Sequence, residues 1–192
     1  MKTALILVDV INDFFHPQGK NFKPEYEPTL ANILLLLQTA REQGVVIVHA
    51  MEGHHPAARE LDFEWKKLPP HCFLGEFDAE AVAGVNIQPD TEYVVRKRRF
   101  SAFFETDLNL LLREAGVEQI VIVGVKTHVC VRATTQDGFA YGYRVVIPLE
   151  AVNSNYKHLH EASLEDIQRY MGEVVPLTSA LAMLRGGDTG QS

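Results

Sequence analysis

Residues 120–142 read IVIVGVKTHVCVRATTQDGFAYG, and this stretch decides the fold. Its first six residues are apolar and mostly β-branched, which is typical of a strand buried on both faces of a parallel sheet. From Val131 onward the apolar residues follow a helical spacing, and Gly142 lies where such a helix would end. The stretch therefore predicts a buried strand, a tight turn and a helix.

Cys130 lies in the predicted turn between that strand and that helix. A thiol in this position would be close to unsatisfied backbone N–H groups and to the positive end of the helix dipole, and both lower a thiol pKa. Cys130 therefore has two interpretations, a catalytic nucleophile or a small buried apolar residue, which is what most free cysteines are.

Strand patterns and helix patterns alternate along the rest of the chain, which is typical of βαβ units in an α/β protein. The 192 residues suffice for one sizeable core, so we predict a single domain over 1–192 with a frayed tail at 186–192. The predicted strands are 4–8, 45–48, 92–95, 119–125, 143–147 and 173–175, and the predicted helices are 29–43, 78–83, 106–115, 158–171 and 179–184.

The composition excludes several classes of partner. A net charge of −7 and an isoelectric point near 5.6 provide no basic surface for nucleic acid or for an anionic membrane. The N-terminal apolar run ends at Asp9 and is too short for a signal peptide or a membrane span. Cys72 and Cys130 are the only cysteines, so we expect no disulfide framework and a cytoplasmic location.

Charged residues follow two of the predicted strands directly. Asp9 follows the first strand, and the cations of residues 96–99 follow the third. Ligands of open α/β sheets bind beyond the carboxyl ends of the strands, so we expect Asp9, at least one of these cations and Cys130 at one edge. The alternatives are a cap or turn role for Asp9 and a solvated charge run for 96–99. Residues 11–20 are a predicted loop, from which Phe14 or Phe15 could wall a small pocket.

Residues 51–75 have weak periodicity and are predicted to be a functional lid at the end of the second strand. Glu52, His54 and His71 in this segment could form an open site for Zn²⁺ or a similar divalent metal. Solvated histidines that bind nothing are the more common arrangement, so we expect no cofactor, with the metal as the alternative.

Three segments together resemble one known family. They contain Asp9 in LVDVINDF, Lys97 in KRRFSAFFETDL and Cys130 in GVKTHVCVRATTQDGFAYGY. In this order they resemble the isochorismatase-like cysteine hydrolases, which include nicotinamidases, N-carbamoylsarcosine amidases and ureidoacrylate or biuret hydrolases. The resemblance covers residues 4–151 and implies a three-layer α/β/α sandwich around a mostly parallel, six-stranded, doubly wound sheet.

The resemblance implies a catalytic triad of Asp9, Lys97 and Cys130 that cleaves a small-molecule amide or ureido C–N bond through a thioester. It also implies an oxyanion hole formed by the backbone N–H groups of Lys126 and Cys130, with a cis peptide bond before Lys126. Phe14 and His128 are expected to border the substrate. We expect the Lys126 side chain to be exposed on the surface, although it could instead meet an anionic group of the substrate.

Other functions are compatible with the same residues. Glu52-Gly53-His54 and His71 are similar to the metal motif of nicotinamidases, except that a glutamate stands where that motif has an aspartate. The chain could also be a catalytically idle scaffold. A papain-like pair of Cys130 with His128 is disfavoured because side chains two apart on a tight turn diverge. Leu35 and Leu36 widen the apolar face of the first long helix, which favours a homo-oligomer.

Overall fold

The computed structural model of the chain describes residues 1–186, so most of the predicted tail at 186–192 lies outside the described residues. The strands of its parallel sheet are β1 (Thr3–Val8), β2 (Val46–Glu52), β3 (Tyr93–Lys97), β4 (Gln119–Val125), β5 (Arg144–Pro148), β6 (Val152–Asn153) and β7 (Glu173–Val175). Six of them form the order β3-β2-β1-β4-β5-β7, and the two-residue β6 pairs with the end of β4. The predicted α/β fold is confirmed and each of the six predicted strands is present, although β2 extends to Glu52 and β3 to Lys97, beyond their predicted ends. The two-residue β6 was too short to give a sequence pattern.

The described helices are α1 (Asn12–Phe15), α2 (Glu27–Glu42), α3 (Leu108–Glu114), α4 (Arg132–Ala140), α5 (Lys157–Tyr170) and α6 (Leu177–Leu184). Two local predictions were wrong. The predicted loop at 11–20 contains α1, and the predicted helix at 78–83 is only a 3₁₀ turn, Phe77–Ala79. That turn stops because the following backbone pairs with the segment after β1, where Asn12 N–H donates to Glu80 O at 2.8 Å.

The sheet is covered on both faces, which explains the continuous apolar sequence of its strands. Leu5 and Leu7 of β1 pack in one core with residues of α2 and α6. Ala4 and Ile6 point to the other face and pack in a second core with residues of α3 and α5. The alternation of side chains along β1 thus produces the three-layer sandwich that the resemblance implied. Among residues 1–186, no helix has the length and apolar character needed to cross a bilayer.

The order of the strands creates a crevice between β1 and β4. The chain builds outward from β1 through β2 to β3, and then returns to the other side of β1 for β4. Such a switch point in an open α/β sheet leaves a ligand-binding crevice at the carboxyl ends of the strands. Gly124 permits the close approach here, because a Cβ at this position would lie 1.9 Å from the Val8 carbonyl oxygen.

Candidate active site

Asp9, Lys97 and Cys130 meet at this crevice. Asp9 follows β1 in a left-handed backbone conformation with φ of 53°, which aspartate tolerates better than most residues. Lys97 is the last residue of β3, and Cys130 lies in a π-helical turn, Thr127–Val131, between β4 and α4. The sequence predicted this strand, turn and helix, but the turn is itself helical, so Cys130 lies within the first helical residues.

The Lys97 ammonium links the other two side chains. Its Nζ lies 2.8 Å from Asp9 Oδ2 and 3.6 Å from Cys130 Sγ, and it donates a third hydrogen bond to the Arg99 carbonyl oxygen at 3.3 Å. Asp9 Oδ1 accepts a hydrogen bond from the backbone N–H of Glu52 at 2.7 Å. Lys97 and Asp9 are fully buried, and only Cys130 of the three lines the adjoining cavity.

Burial dominates the protonation of this group. It raises the pKa of the Cys130 thiol well above its ordinary value, and the positive charge of Lys97 offsets only part of that effect. The expectation of a lowered thiol pKa was therefore wrong, because the effect of burial is larger than that of the Lys97 charge, and Asp9 and Glu52 raise the pKa further. Burial also raises the pKa of Asp9, whereas Lys97 stays protonated because Asp9 raises its pKa. The resting site thus combines a protonated thiol with an unusually basic carboxylate.

Cys130 opens into a cavity of about 360 Å³, which is the size of a small-molecule site. Phe14 lines this cavity as predicted, whereas Phe15 packs against Tyr26 with ring centroids 5.8 Å apart. His128 also lines it, and its Nδ1 is hydrogen-bonded to Ser154 Oγ. Among residues 1–186, Cys130 Sγ accepts a hydrogen bond from Lys97 Nζ and none from His128, so the disfavoured papain-like pair is not formed.

The turn that carries Cys130 begins with a cis peptide bond between Val125 and Lys126. The Lys126 side chain is half-buried and lines the cavity, so the expectation of simple surface exposure was wrong. Its Nζ lies 5.4 Å from the centroid of the Phe14 ring. The turn therefore brings an ammonium group to the cavity itself, whereas the Lys97 ammonium is buried and does not line it.

A second charged cluster borders the same cavity. Glu52 Oε1 lies 3.1 Å from His54 Nε2 and 2.9 Å from His71 Nε2. The fold therefore brings together the three residues named as the alternative metal site. Burial alone would raise the pKa of Glu52, but its contacts with both imidazoles hold that pKa far below the usual range. Burial would lower the pKa of His71, but the contact with Glu52 raises it to about 9. Without a metal, the cluster is a buried carboxylate between two imidazoles.

The sequence analysis missed two acidic residues beside this cluster, Glu64 and Asp62. Glu64 Oε2 is buried and accepts no hydrogen bond in the described chain, although Arg99 Nη1 lies 3.9 Å away. Asp62 Oδ2 lies 3.0 Å from His54 Nδ1. Both residues belong to the segment 51–75, whose sequence has no periodic pattern that predicts which side chains point toward the cavity.

Two buried carboxylates and a buried imidazole are a donor set that zinc and similar divalent metals accept. The unpartnered Glu64 Oε2 is an available acceptor beside Glu52 and His71, which supports the fit. Glu52, His71 and Glu64, whose donor atoms lie within 4.8 Å of one another, are therefore the residues that would hold such an ion, whereas His54 contacts Glu52 and Asp62 and is not part of that group.

Comparison with known proteins identifies the family. Residues 3–179 match the family model described as the isochorismatase domain. The chain belongs to the isochorismatase family. Its sequence is 30% identical to that of maleamate amidohydrolase from Pseudomonas putida, over 96% of this chain and 87% of that protein. It is 29% identical to a probable inactive nicotinamidase from Arabidopsis thaliana, over 86% of this chain and 88% of that protein.

The fold of this isochorismatase-family chain is also similar to solved structures. It matches the pyrazinamidase of Pyrococcus horikoshii in complex with zinc with a TM-score of 0.82 and 28% identity. That match covers 92% of this chain and 99% of the other. The likeness extends over almost the whole of both molecules.

Proposed function

We propose that this isochorismatase-family hydrolase cleaves a small-molecule amide or ureido C–N bond through a thioester on Cys130. The observation that carries the proposal is the contact of one buried ammonium, that of Lys97, with both Asp9 Oδ2 and Cys130 Sγ beside a cavity. A thiol with a raised pKa needs a base at the moment of attack, and Asp9 with its own raised pKa suits that role.

In the first half of the reaction, the Cys130 proton passes to Asp9 while Sγ forms a bond to the substrate carbonyl carbon. Lys97 stabilises the negative charge on sulfur. The carbonyl oxygen becomes an oxyanion that accepts hydrogen bonds from the backbone N–H groups of Lys126 and Cys130. Asp9 then donates the proton to the leaving nitrogen, the C–N bond breaks, and ammonia or an amine leaves the thioester behind.

In the second half, Asp9 accepts a proton from a water molecule whose oxygen attacks the thioester carbonyl. The C–S bond breaks, the carboxylic acid product leaves, and Asp9 returns the proton to Sγ. Phe14 and His128 would contact the substrate from the walls of the cavity. No external oxidant or reductant is needed.

The test is ammonia release from a panel of nicotinamide, biuret, maleamate and ureido acids, with acid quenching and mass spectrometry of the Cys130 peptide. We expect release with at least one substrate and an acyl adduct on Cys130. Cys130→Ala should abolish both, whereas Cys72→Ala, which alters the other buried thiol, should retain them. Release by Cys130→Ala would contradict the thioester. An inert panel without any adduct would favour the alternative of an idle scaffold.

A metal-assisted nicotinamidase is the second candidate, favoured by the unpartnered Glu64 Oε2 beside Glu52. A divalent ion held by Glu52, His71 and Glu64, with His54 beside Glu52, would polarise a ligand in the cavity as a Lewis acid. Elemental analysis of protein purified without added metal tests this candidate, together with nicotinamide hydrolysis before and after chelation. Bound metal that Glu64→Gln weakens would support it, and a metal-free protein that binds no zinc in calorimetry would refute it.

We also propose that the protein is cytoplasmic and homo-oligomeric. We propose further that neither nucleic acid nor membrane is among its partners. Leu35 of α2 is 43% exposed and could contribute to a contact between subunits, whereas Leu36 is fully buried in the core of this chain. Light scattering of the purified protein measures the oligomeric state, and a monomer at micromolar concentration would contradict that part.

A further inference from the structure

The Lys126 ammonium at the cavity has no anionic partner. No carboxylate of residues 1–186 forms an ion pair with it, and the ammonium lies over the face of the Phe14 ring. The other ammonium of the site, on Lys97, is by contrast neutralised by Asp9 at 2.8 Å. Lys126 is therefore a half-buried cation whose charge is available to a molecule in the cavity.

The two carboxylates that line the cavity, Glu52 and Glu64, do not pair with Lys126. Glu52 lies between two imidazoles, and Glu64 Oε2 lies 3.9 Å from an Arg99 nitrogen. The ammonium of Lys126 therefore has no carboxylate of residues 1–186 to neutralise it, and a carboxylate of a bound ligand would supply that partner. Its flexible four-carbon stem lets it adapt to ligands of different length.

We propose that the amide substrate carries a carboxylate group, which the Lys126 ammonium binds while Cys130 attacks the amide or ureido carbonyl. The substrates would thus be monoamides or ureides of carboxylic acids rather than neutral amides. This inference rests on the proposed function and narrows its substrate class. A charge-assisted hydrogen bond between an ammonium and a carboxylate is among the stronger polar contacts, particularly where water is partly excluded. Because Lys126 precedes Cys130 on the same turn, its charge would also fix which end of the substrate approaches the thiol.

The experiment compares maleamate with the corresponding neutral diamide. For each, kcat/KM is measured with the unchanged protein, Lys126→Met, Lys126→Arg and the control Lys157→Met. Methionine keeps the backbone N–H and much of the length of the side chain but removes the charge. Lys157 is 87% exposed on α5 and lies outside the cavity, so its substitution controls for the loss of one positive charge from the protein.

We expect Lys126→Met to lower the ratio of kcat/KM for maleamate over the diamide by about 10- to 100-fold. Lys126→Arg should restore much of that ratio, and Lys157→Met should leave it within about twofold. An equal loss on both substrates, or a preference of the unchanged protein for the diamide, would overturn the inference.

A binding measurement separates this inference from the proposed reaction. Calorimetry with Cys130→Ala measures the affinity for maleamate without turnover, and the double variant with Lys126→Met should bind it about 10-fold or more weakly. Equal affinities would overturn the inference even if amides are hydrolysed. Loss of affinity in the double variant would support it even if the thioester mechanism fails.

Discussion

Asp9 is the residue on which the proposed chemistry depends most. Burial disfavours its charged form and raises its pKa above the ordinary value of 3.8, although Lys97 counteracts part of that shift. A base must be deprotonated to act, so kcat/KM should fall as the pH drops through this raised pKa. The acid limb of the pH profile is therefore expected above the range of an ordinary aspartate.

Asp9→Asn removes this base and should lower kcat/KM by about 10²- to 10⁴-fold, which is the usual contribution of a general acid–base group. Steady-state kinetics across the pH range measure both the loss and the position of the acid limb. Asp90→Asn at an exposed turn is the control. Normal activity in Asp9→Asn would remove Asp9 from the mechanism.

Sequence patterns alone do not identify which cation belongs to the site. Four cations occupy 96–99, and the strand end alone does not distinguish among them. The resemblance selected Lys97, and the fold gives a reason: Lys97 is buried toward Asp9, whereas Arg96 donates to the Ala79 carbonyl oxygen and Arg99 pairs with Asp62. The choice depends on residues distant in sequence, which no local pattern contains.

Asp62 connects the segment that follows β2 to the rest of the fold through several contacts. Its carboxylate accepts a hydrogen bond from the backbone N–H of Glu64 at the start of the 3₁₀ turn Phe63–Lys66. The same carboxylate contacts His54 Nδ1 at 3.0 Å and Arg99 Nη1 at 2.9 Å. One side chain therefore links the lid to the ends of β2 and β3.

Asp62→Ala should release this segment from the cavity. We expect faster limited proteolysis near residues 61–68 and a higher KM, because Leu68 and Pro69 would no longer wall the cavity in a fixed position. Glu60→Ala, at an exposed neighbouring position, is the matched control. Unchanged cleavage kinetics in Asp62→Ala would show that the segment is held by other contacts.

A network of buried charged and polar side chains joins distant parts of the molecule. It connects α2, β2 and Glu92, the residue before β3. Glu92 Oε1 lies 2.6 Å from Arg41 Nε, and Glu92 Oε2 lies 2.7 Å from His49 Nε2. Burial lowers the pKa of His49, although its contact with Glu92 opposes that shift. For Glu92, burial would raise the pKa, but the hydrogen bonds from Arg41 and His49 lower it.

Both shifts have the same consequence for stability. A group whose pKa is lower in the folded than in the unfolded state contributes stability that is lost as the pH falls. For His49 this loss begins near its ordinary pKa of 6.5, and for Glu92 it begins near 4.5. The network should therefore weaken progressively as the solution is acidified from pH 6.5.

Glu92→Ala leaves Arg41 and His49 without their common partner and should lower the free energy of unfolding by about 3 kcal/mol. It should also abolish the loss of stability that begins near pH 4.5, whereas the loss that begins near pH 6.5 should persist or grow, because Glu92 opposes the lowering of the His49 pKa. Urea unfolding at several pH values measures both effects, with Glu42→Ala on the exposed side of α2 as control. An unchanged loss of stability below pH 4.5 in Glu92→Ala would assign that loss to other groups, and a smaller loss between pH 6.5 and pH 4.5 would show that Glu92 does not oppose the shift of His49.

The sequence alone predicts the order of strands and helices and places Asp9 and Lys97 near the ends of β1 and β3, although β2 and β3 end later than predicted. It could do so because apolar periodicity and turn residues are local, and because parallel strands bring their carboxyl ends to one edge. Only the tertiary structure decided the electrostatics. Contacts between distant segments bury Cys130 deeply enough to raise its pKa, turn Lys126 into the cavity and add Glu64 beside Glu52. Burial and distance depend on the whole packed chain, and these two quantities set the charge and the reactivity of a site.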